Sequence, residues 1–165
     1  MLNNSNIYSI PIQAAGKLAI ISRPARDEFL RESIESLKKE KIDTVISALM
    51  QYEESELGLS KEKEICKELK MDFLSFPIED RAVPESFSAM QTFSKSIKER
   101  ILLGQSVGIH CRAEIGRSSI LCSCILFELG FSVDQAILLI SESRKLKVPD
   151  TEEQVDWLIN YFQFR

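Results

Sequence analysis

The sequence predicts an α/β fold in which a central, mostly parallel sheet of about four to five strands is flanked by helices on both faces and the C-terminal third is all helical. Two observations lead to this prediction. Short apolar runs alternate with helical patterns over the first two thirds of the chain, and beyond Gly130 only helical patterns remain. A strand that alternates with a helix needs crossover connections, so its neighbours in the sheet are expected to run parallel.

The alternating part of the chain contains short apolar runs that are typical of strands buried on both faces. They cover residues 18–21, 44–49, 71–76 and 107–109. Between these runs, apolar residues recur three or four positions apart, which is the spacing of an amphipathic helix. The helical patterns cover residues 27–39, 61–70 and 85–103. Gly104 is well placed to end the last of these helices.

The C-terminal third contains signals for three helices. A buried helix follows the last strand and ends at Gly130, a residue that commonly terminates helices. Ser132 and Gln135 form a predicted capping box at the start of the second helix, and Thr151 and Gln154 form one at the start of the third. Apolar residues recur at helical spacing in the last helix, so we expect it to pack on the core.

Length and composition indicate a single domain over residues 1–165. Hydrophobic residues make up 44% of the chain and charged residues 28%, and there is no repeat, low-complexity tract or linker. The formal net charge of −4 argues against a general nucleic-acid binder and against attraction to anionic membrane surfaces. We therefore expect no nucleic-acid partner, no membrane partner and a monomeric protein.

A cysteine and an arginine lie six positions apart between the last predicted strand and the following helix, in the stretch His-Cys-Arg-Ala-Glu-Ile-Gly-Arg-Ser at 110–118. A strand that leads through a loop into a helix directs unpaired N–H groups and the positive end of the helix dipole at one point, which favours an anion. There the thiolate of Cys111 is favoured as a nucleophile, and the planar guanidinium of Arg117 can bind two phosphate oxygens. The pattern therefore indicates a phosphatase.

A second segment offers the proton donor that such a reaction needs. Attack by a thiolate expels an alkoxide or a phenoxide, which an acid across from the nucleophile should protonate. Residues 76–84 follow the third predicted strand and contain Pro77 and Pro84, which favour an ordered loop. Asp80 is the predicted acid and Glu79 its nearest competitor, and a solvated turn without function is the alternative interpretation.

The stretch at 110–118 resembles the signature loop of the cysteine-dependent protein tyrosine and dual-specificity phosphatases. Pro77-x-x-Asp80 resembles the acid loop of the small kinase-associated type. This resemblance implies a protein tyrosine phosphatase-like fold and catalytic roles for Cys111, Arg117, Asp80 and Ser118. In this family the serine hydroxyl assists departure of the cysteine in the second chemical step, and the histidine, here His110, helps to hold the cysteine ionised.

The resemblance also implies that the loop amides bind phosphate oxygens. The corresponding residues are Arg112, Ala113, Glu114, Ile115, Gly116 and Arg117. The motif Thr-x-x-Gln that begins at Thr151 resembles a family motif whose glutamine, here Gln154, lies close to the reaction centre. The basic residues Arg144, Lys145 and Lys147 either line a groove for an acidic phosphopeptide or serve solubility alone.

Glu114 departs from the family pattern, because the larger tyrosine phosphatases mostly have glycine at this position. If the backbone there has a positive φ, the glutamate is strained by roughly 1 kcal/mol or more. Its carboxylate would also repel a phosphate unless it points to solvent or pairs with Arg112. Slower catalysis and an unusual substrate are both open as consequences.

The cysteines and the single histidine do not form a metal-binding pattern, so we expect no metal and no other cofactor. The chemistry requires a reduced Cys111, which points to a reducing compartment. The first six residues lack a basic region followed by a long apolar segment, and no stretch is long enough to cross a bilayer. We therefore expect a cytoplasmic protein.

We interpret the chain as a phosphatase that acts on phosphotyrosine in proteins through a phosphocysteine intermediate, with phosphoserine and phosphothreonine as further candidate substrates. Its partners would be a phosphorylated protein and, in the active site, phosphate or another oxyanion. Three alternatives stay open. They are a phosphopeptide-binding module without turnover, a phosphatase for a non-protein phosphoester, and an enzyme that resembles arsenate reductase.

Overall fold

The structure is a computed structural model that describes residues 6–164, and its centre is a five-stranded sheet. The strands are β1 (Ile7–Ile10), β2 (Lys17–Ile21), β3 (Thr44–Ser47), β4 (Asp72–Ser75) and β5 (Ser106–His110). Their order in the sheet is β1-β2-β5-β3-β4. β1 pairs antiparallel with β2, and every other pairing is parallel. The predicted mostly parallel sheet is confirmed, with β5 at its centre.

Seven α-helices surround this sheet within residues 6–164. They are α1 (Leu30–Lys39), α2 (Gln51–Glu56), α3 (Glu62–Glu68), α4 (Phe87–Leu102), α5 (Arg117–Glu128), α6 (Val133–Arg144) and α7 (Glu152–Gln163). Both predicted capping boxes are present, because Ser132 and Thr151 accept hydrogen bonds from the backbone N–H groups of Gln135 and Gln154. None of the helices in this part of the chain is both long and apolar enough to cross a membrane.

The hydrophobic core lies on both faces of the sheet, as successive strand residues point to opposite sides. In β2, Leu18 and Ile20 pack in a cluster with residues of α4, α5, α6 and α7. Ala19 and Ile21 pack in a second cluster with residues of α1 and α3. The predicted α/β fold class, with helices on both faces and a helical C-terminal third, is therefore confirmed.

Two elements were not predicted from the sequence. β1 is a short edge strand that ends before Pro11, and its sequence lacks the continuous apolar run that predicted the other strands. Only Ile10 among its residues is buried. α2 has no repeating apolar face, and its first turn is held by a hydrogen bond from the Met50 backbone N–H to the Glu53 carboxylate, at 3.0 Å.

Residues 1–5 and Arg165 lie outside the described residues. The predicted single domain over residues 1–165 includes them, and the N-terminal segment on which the expected compartment partly depends consists mostly of them. Both therefore stay predictions.

Candidate active site

The signature loop connects the central strand of the sheet to a buried helix. β5 ends at His110, the loop begins with Cys111, and α5 starts at Arg117. The loop thus lies at the carboxyl edge of the parallel strands, where open α/β sheets place their ligands. Cys111 is buried, and its thiol Sγ donates a hydrogen bond to the hydroxyl Oγ of Ser118 at 3.4 Å.

One pocket opens onto this loop and brings most of the predicted site residues together. It is lined by Asp80, Arg81, Cys111, Ala113, Ile115, Gly116, Arg117, Asp150 and Gln154. The nucleophile, the arginine, the acid and the glutamine predicted from the sequence are therefore neighbours. Of the predicted phosphate-binding residues, Arg112 and Glu114 are not part of this lining. The prediction for both residues concerns their backbone amides. The Arg112 side chain is exposed, and its Nη1 lies 3.7 Å from Oε1 of Glu53.

The guanidinium of Arg117 is buried and held by a glutamate that the sequence analysis missed. Its Nη1 and Nη2 donate to the two carboxylate oxygens of Glu53, at 2.6 and 2.9 Å. Burial, the largest single influence, would raise the pKa of Glu53. The hydrogen bonds from Arg117 and the Met50 N–H, with the charges of Arg117 and Arg112, together outweigh it, and the pKa lies below its usual value. Glu53 therefore stays a carboxylate that orients the fork of Arg117.

Two further contacts complete the surroundings of Arg117. Nη1 also donates to the carbonyl oxygen of Ile78 at 2.8 Å, and Nη2 also donates to the Asp80 carboxylate at 3.0 Å. All four N–H groups on the two Nη atoms are thus engaged, while the Nε–H has no hydrogen-bond acceptor within residues 6–164. Nε and Nη2 form the edge of the guanidinium that a phosphate can reach once Asp80 moves off Nη2.

The acid loop presents Asp80, and not Glu79, to the arginine. Glu79 faces away, since its carboxylate accepts a hydrogen bond from the hydroxyl of Tyr52 at 2.7 Å. Asp80 combines the contact with Arg117 with a half-exposed side chain, which leaves it accessible to a leaving group. This arrangement favours Asp80 over its nearest competitor for the proton donor.

Gln154 braces three segments around the pocket and is completely buried. Its Oε1 accepts hydrogen bonds from the backbone N–H groups of Asp150 and Thr151, at 3.1 and 3.2 Å, and its Nε2 donates to the carbonyl of Ala82 in the acid loop at 3.0 Å. A Cβ at position 116 would lie 2.8 Å from Oε1, so only glycine allows the signature loop to approach this closely. Gln154 therefore joins the acid loop to the start of α7 and packs closely against the signature loop.

His110 lies behind the loop and contacts a second glutamate that the sequence analysis missed. Its Nε2 donates to Oε1 of Glu62 at 2.7 Å, and both side chains are buried. Its Nδ1 donates to the carbonyl oxygen of Cys111 at 3.4 Å, so its contact with the nucleophile is through the backbone. Burial, the largest single influence, would lower the pKa of His110. The charge and the hydrogen bond of Glu62, with the contact to the Cys111 carbonyl and the charge of Glu114, together outweigh burial, and the pKa is raised.

The raised pKa of His110 predicts a pH-dependent stability. A group whose pKa is raised on folding stabilises the fold fully below its unfolded value, near 6.5 for histidine, and loses that contribution as the pH rises through the folded value. We expect the free energy of unfolding of the wild type to fall over this window, and the fall to be smaller in Glu62→Gln.

Urea unfolding at a series of pH values measures this effect, with Glu64→Gln as the control because Glu64 lies on the exposed side of the same helix. Glu64→Gln should follow the wild-type curve. The same pH dependence in Glu62→Gln and in the wild type would contradict a charged pair between Glu62 and His110.

The backbone of Glu114 has a φ of +57°. The strain expected for a glutamate with a positive φ is therefore present, at a cost of about 1 kcal/mol. Its carboxylate takes neither of the two arrangements considered above, solvent exposure or a pair with Arg112. The Oε1 of Glu114 accepts a hydrogen bond from the backbone N–H of Arg23 at 2.9 Å, in a half-buried position. Burial raises the pKa of Glu114, and this hydrogen bond opposes the shift.

The remaining cysteines, Cys66, Cys122 and Cys124, are buried and free of disulfides. Cys122 and Cys124 pack in the cluster of α4 to α7, and Cys66 packs in the cluster on the other face of the sheet. Burial raises the pKa of the Cys66 thiol to about 12 and also raises that of Cys122. These positions are typical of core residues.

The fold and the site define a class of protein. A mostly parallel sheet with a Cys-x5-Arg loop between its central strand and a buried helix, and with an aspartate beside the arginine, is the arrangement of cysteine-dependent phosphatases. The family model described as "Polymorphic toxin system, DSP-PTPase phosphatase" matches residues 19–131, which include Asp80, Cys111 and Arg117. The chain belongs to this family, and the superfamily predicted from the signature loop is confirmed.

Individual relatives agree with this assignment. The chain is 29% identical over 113 residues to "Protein tyrosine phosphatase PRL-1" from Leishmania major, and the match spans 63% of this chain and 63% of the length of that relative. Kinase associated phosphatase, solved with its catalytic cysteine replaced by serine, superposes with a TM-score of 0.90 at 17% identity, over 99% of this chain and 97% of that one. Tk-PTP in its active form superposes with a TM-score of 0.77 at 23% identity, over 96% of this chain and 98% of that one. These two structures share the fold of this chain.

Proposed function

We propose that this chain is a protein phosphatase that hydrolyses phosphotyrosine through a phosphocysteine intermediate, with phosphoserine and phosphothreonine as further candidate substrates. The observation that carries the proposal is the pocket shared by Cys111, Arg117 and Asp80. A nucleophile, a cation with a planar fork and a carboxyl group beside it are the groups that cleavage of a phosphate monoester needs.

In the first step, the thiolate of Cys111 attacks phosphorus in line with the leaving oxygen, and Asp80 protonates that oxygen as it departs. The phosphate oxygens are held by the loop amides and by the Nε–H and Nη2–H of Arg117. Because Nη2 now donates to Asp80, substrate binding displaces Asp80 from the arginine. The displaced carboxyl group then faces the leaving group.

In the second step, water attacks the phosphocysteine while Asp80 accepts its proton, and the bond between sulfur and phosphorus breaks. Ser118 assists, because its hydroxyl lies 3.4 Å from the sulfur and can donate a hydrogen bond to the departing thiolate. Phosphate leaves and Cys111 returns to its initial state. His110 contributes through its contact with the Cys111 carbonyl, and Gln154 contributes by positioning the two loops.

Replacing Asp80 with alanine tests the proton donor. We expect hydrolysis of an alkyl phosphate or another poor leaving group to slow by about 10²-fold, whereas an activated phenyl phosphate should be much less affected because its leaving group needs no proton. Steady-state kinetics with both substrates measure the difference. Glu79→Ala should keep the wild-type dependence on the leaving group, and an equal loss for both substrates in Asp80→Ala would argue against Asp80 as the acid.

Assays of binding and phosphate release, with an aryl ester and with phosphopeptides, separate this function from the three alternatives. A phosphopeptide-binding module would bind phosphate without releasing it from an aryl ester. A phosphatase for a non-protein phosphoester would hydrolyse the aryl ester but not phosphopeptides. Arsenate reduction would need a second cysteine to resolve the product, and the three other cysteines are buried in the core.

We further propose a cytoplasmic location and a monomeric state. The proposed nucleophile must stay reduced, which a reducing compartment ensures. Cys111, Arg117 and Asp80 meet in one pocket of a single chain, which supports a monomer as the active form. A phosphorylated protein is the proposed partner, because within the signature loop only Arg112 adds a positive charge to that of Arg117.

A further inference from the structure

Glu114 occupies the left-handed turn of the signature loop, and its side chain leaves the loop on the side away from the pocket. Its φ is +57°, a conformation that favours glycine. The pocket is lined by Ala113 and Ile115, the neighbours of Glu114, but not by Glu114 itself. The carboxylate therefore lies outside the space that the substrate phosphate would enter.

Two arginines from distant parts of the chain hold this turn from outside. The backbone N–H of Arg23, just after β2, donates to the Oε1 of Glu114 at 2.9 Å, and the Nη1 of Arg23 donates to the carbonyl oxygen of Arg112 at 3.2 Å. The Nε of Arg144, at the end of α6, donates to the carbonyl oxygen of Glu114 at 2.9 Å. The guanidinium of Arg144 also lies 4.0 Å from the centre of the Tyr8 ring in β1, which fixes its position.

We propose that Glu114 is a positioning residue whose carboxylate ties the left-handed turn of the signature loop to the backbone after β2, and so holds the loop amides in the geometry that binds phosphate. Arg144 supports the same residue through its carbonyl. The inference rests on the proposed function, because it assigns a role in substrate binding at that site.

The tie has two effects on the phosphate site. It fixes a conformation that glutamate would otherwise leave, since a residue with a Cβ disfavours this region of φ. It also turns the carboxylate away from the pocket, where a negative charge would repel the phosphate. A neutral side chain with an oxygen acceptor in the same place preserves both effects, whereas a side chain without an acceptor loses the tie.

Three substitutions of Glu114 distinguish the effect of its hydrogen bond to the Arg23 N–H from the effects of its charge and of backbone strain. Glu114→Gln keeps an oxygen that accepts the Arg23 N–H and removes the charge. Glu114→Gly relaxes the backbone but removes the tie, and Glu114→Ala removes the tie and keeps the strain. We therefore expect phosphate binding to follow the order wild type and glutamine first, glycine next and alanine last.

The experiment measures kcat and KM for an aryl phosphate, together with the protection of Cys111 by inorganic phosphate against iodoacetamide. We expect Glu114→Ala to raise KM and the half-protecting phosphate concentration by about tenfold, while kcat changes by less than about threefold. Glu114→Gln should remain within about twofold of the wild type, as should the control Glu99→Ala, which changes an exposed glutamate on α4.

A purely structural role would lower the melting temperature of Glu114→Ala without changing KM, and that result would overturn the proposal. A glutamine variant as weak as alanine, or a glycine variant equal to or better than the wild type, would overturn it as well. If the wild type releases no phosphate from aryl esters, the proposed function fails. The protection of Cys111 by phosphate, which needs no turnover, still decides whether Glu114 positions the loop.

Discussion

Replacing Cys111 with serine is expected to abolish turnover of aryl phosphates, with a loss of about three orders of magnitude or more. The sulfur of Cys111 is the only thiol among the described residues that line the pocket, and a serine hydroxyl is a much weaker nucleophile near neutral pH. Because the two side chains are similar in shape, the loop should keep its fold and still bind phosphate. Release of phosphate at saturating substrate is the measurement.

Two comparisons make the cysteine experiment specific. Cys66→Ser is the matched control, because Cys66 is buried in the cluster on the opposite face of the sheet and should keep activity in the folded protein. Stabilisation of Cys111→Ser by inorganic phosphate against heat should persist, which shows that the site is intact. Turnover by Cys111→Ser within tenfold of the wild type would contradict a cysteine nucleophile.

Replacing Arg117 is expected to affect activity and stability together. Arg117→Lys keeps a positive charge but cannot pair with both oxygens of Glu53 and also offer two donors to phosphate. We expect kcat/KM for an aryl phosphate to fall by about 10²-fold or more. Activity close to that of the wild type in this variant would remove the case for bidentate binding of phosphate.

The stability effect comes from Glu53. Arg117 and Glu53 are 2% and 1% exposed, so Arg117→Met leaves a buried carboxylate that keeps only the Met50 N–H and a 3.7 Å contact with Arg112. We expect a loss of about 3–5 kcal/mol in the free energy of unfolding. Adding Glu53→Gln should restore much of that stability without restoring activity, which urea unfolding and phosphate release measure separately. A double variant as unstable as Arg117→Met would contradict this explanation.

The chemistry of the site could be predicted because it is encoded locally. Cys111 and Arg117 are separated by one loop, and the apolar residues on either side identify the strand and the helix that hold it. The acid loop was predicted in the same way, from two prolines and a preceding strand. Each of these features depends on residues within about ten positions of one another, a range over which a sequence pattern is informative.

Contacts between distant segments could not be predicted. Glu53 lies 64 positions from Arg117, in a short helix without an apolar face, and Glu62 lies 48 positions from His110. The sequence held one indirect sign of the contact between Glu53 and Arg117. Glu53 follows a buried strand, as the acid loop does, so both segments begin at the same edge of the sheet. The hydrogen bond between the Arg23 N–H and the Glu114 carboxylate joins residues 91 positions apart. It supports the loop at the one residue that departs from the family pattern.

The central claim, that Cys111 accepts the phosphoryl group, is tested most directly by trapping the intermediate. Asp80→Ala lacks the group that activates water in the second step, so with an activated phenyl phosphate the phosphocysteine should accumulate. Rapid acid quenching followed by peptide mass spectrometry should find the phosphoryl group on the peptide that contains Cys111. Release of the phenol with no phosphoryl group on Cys111 at any time, or with the group on another residue, would contradict the account.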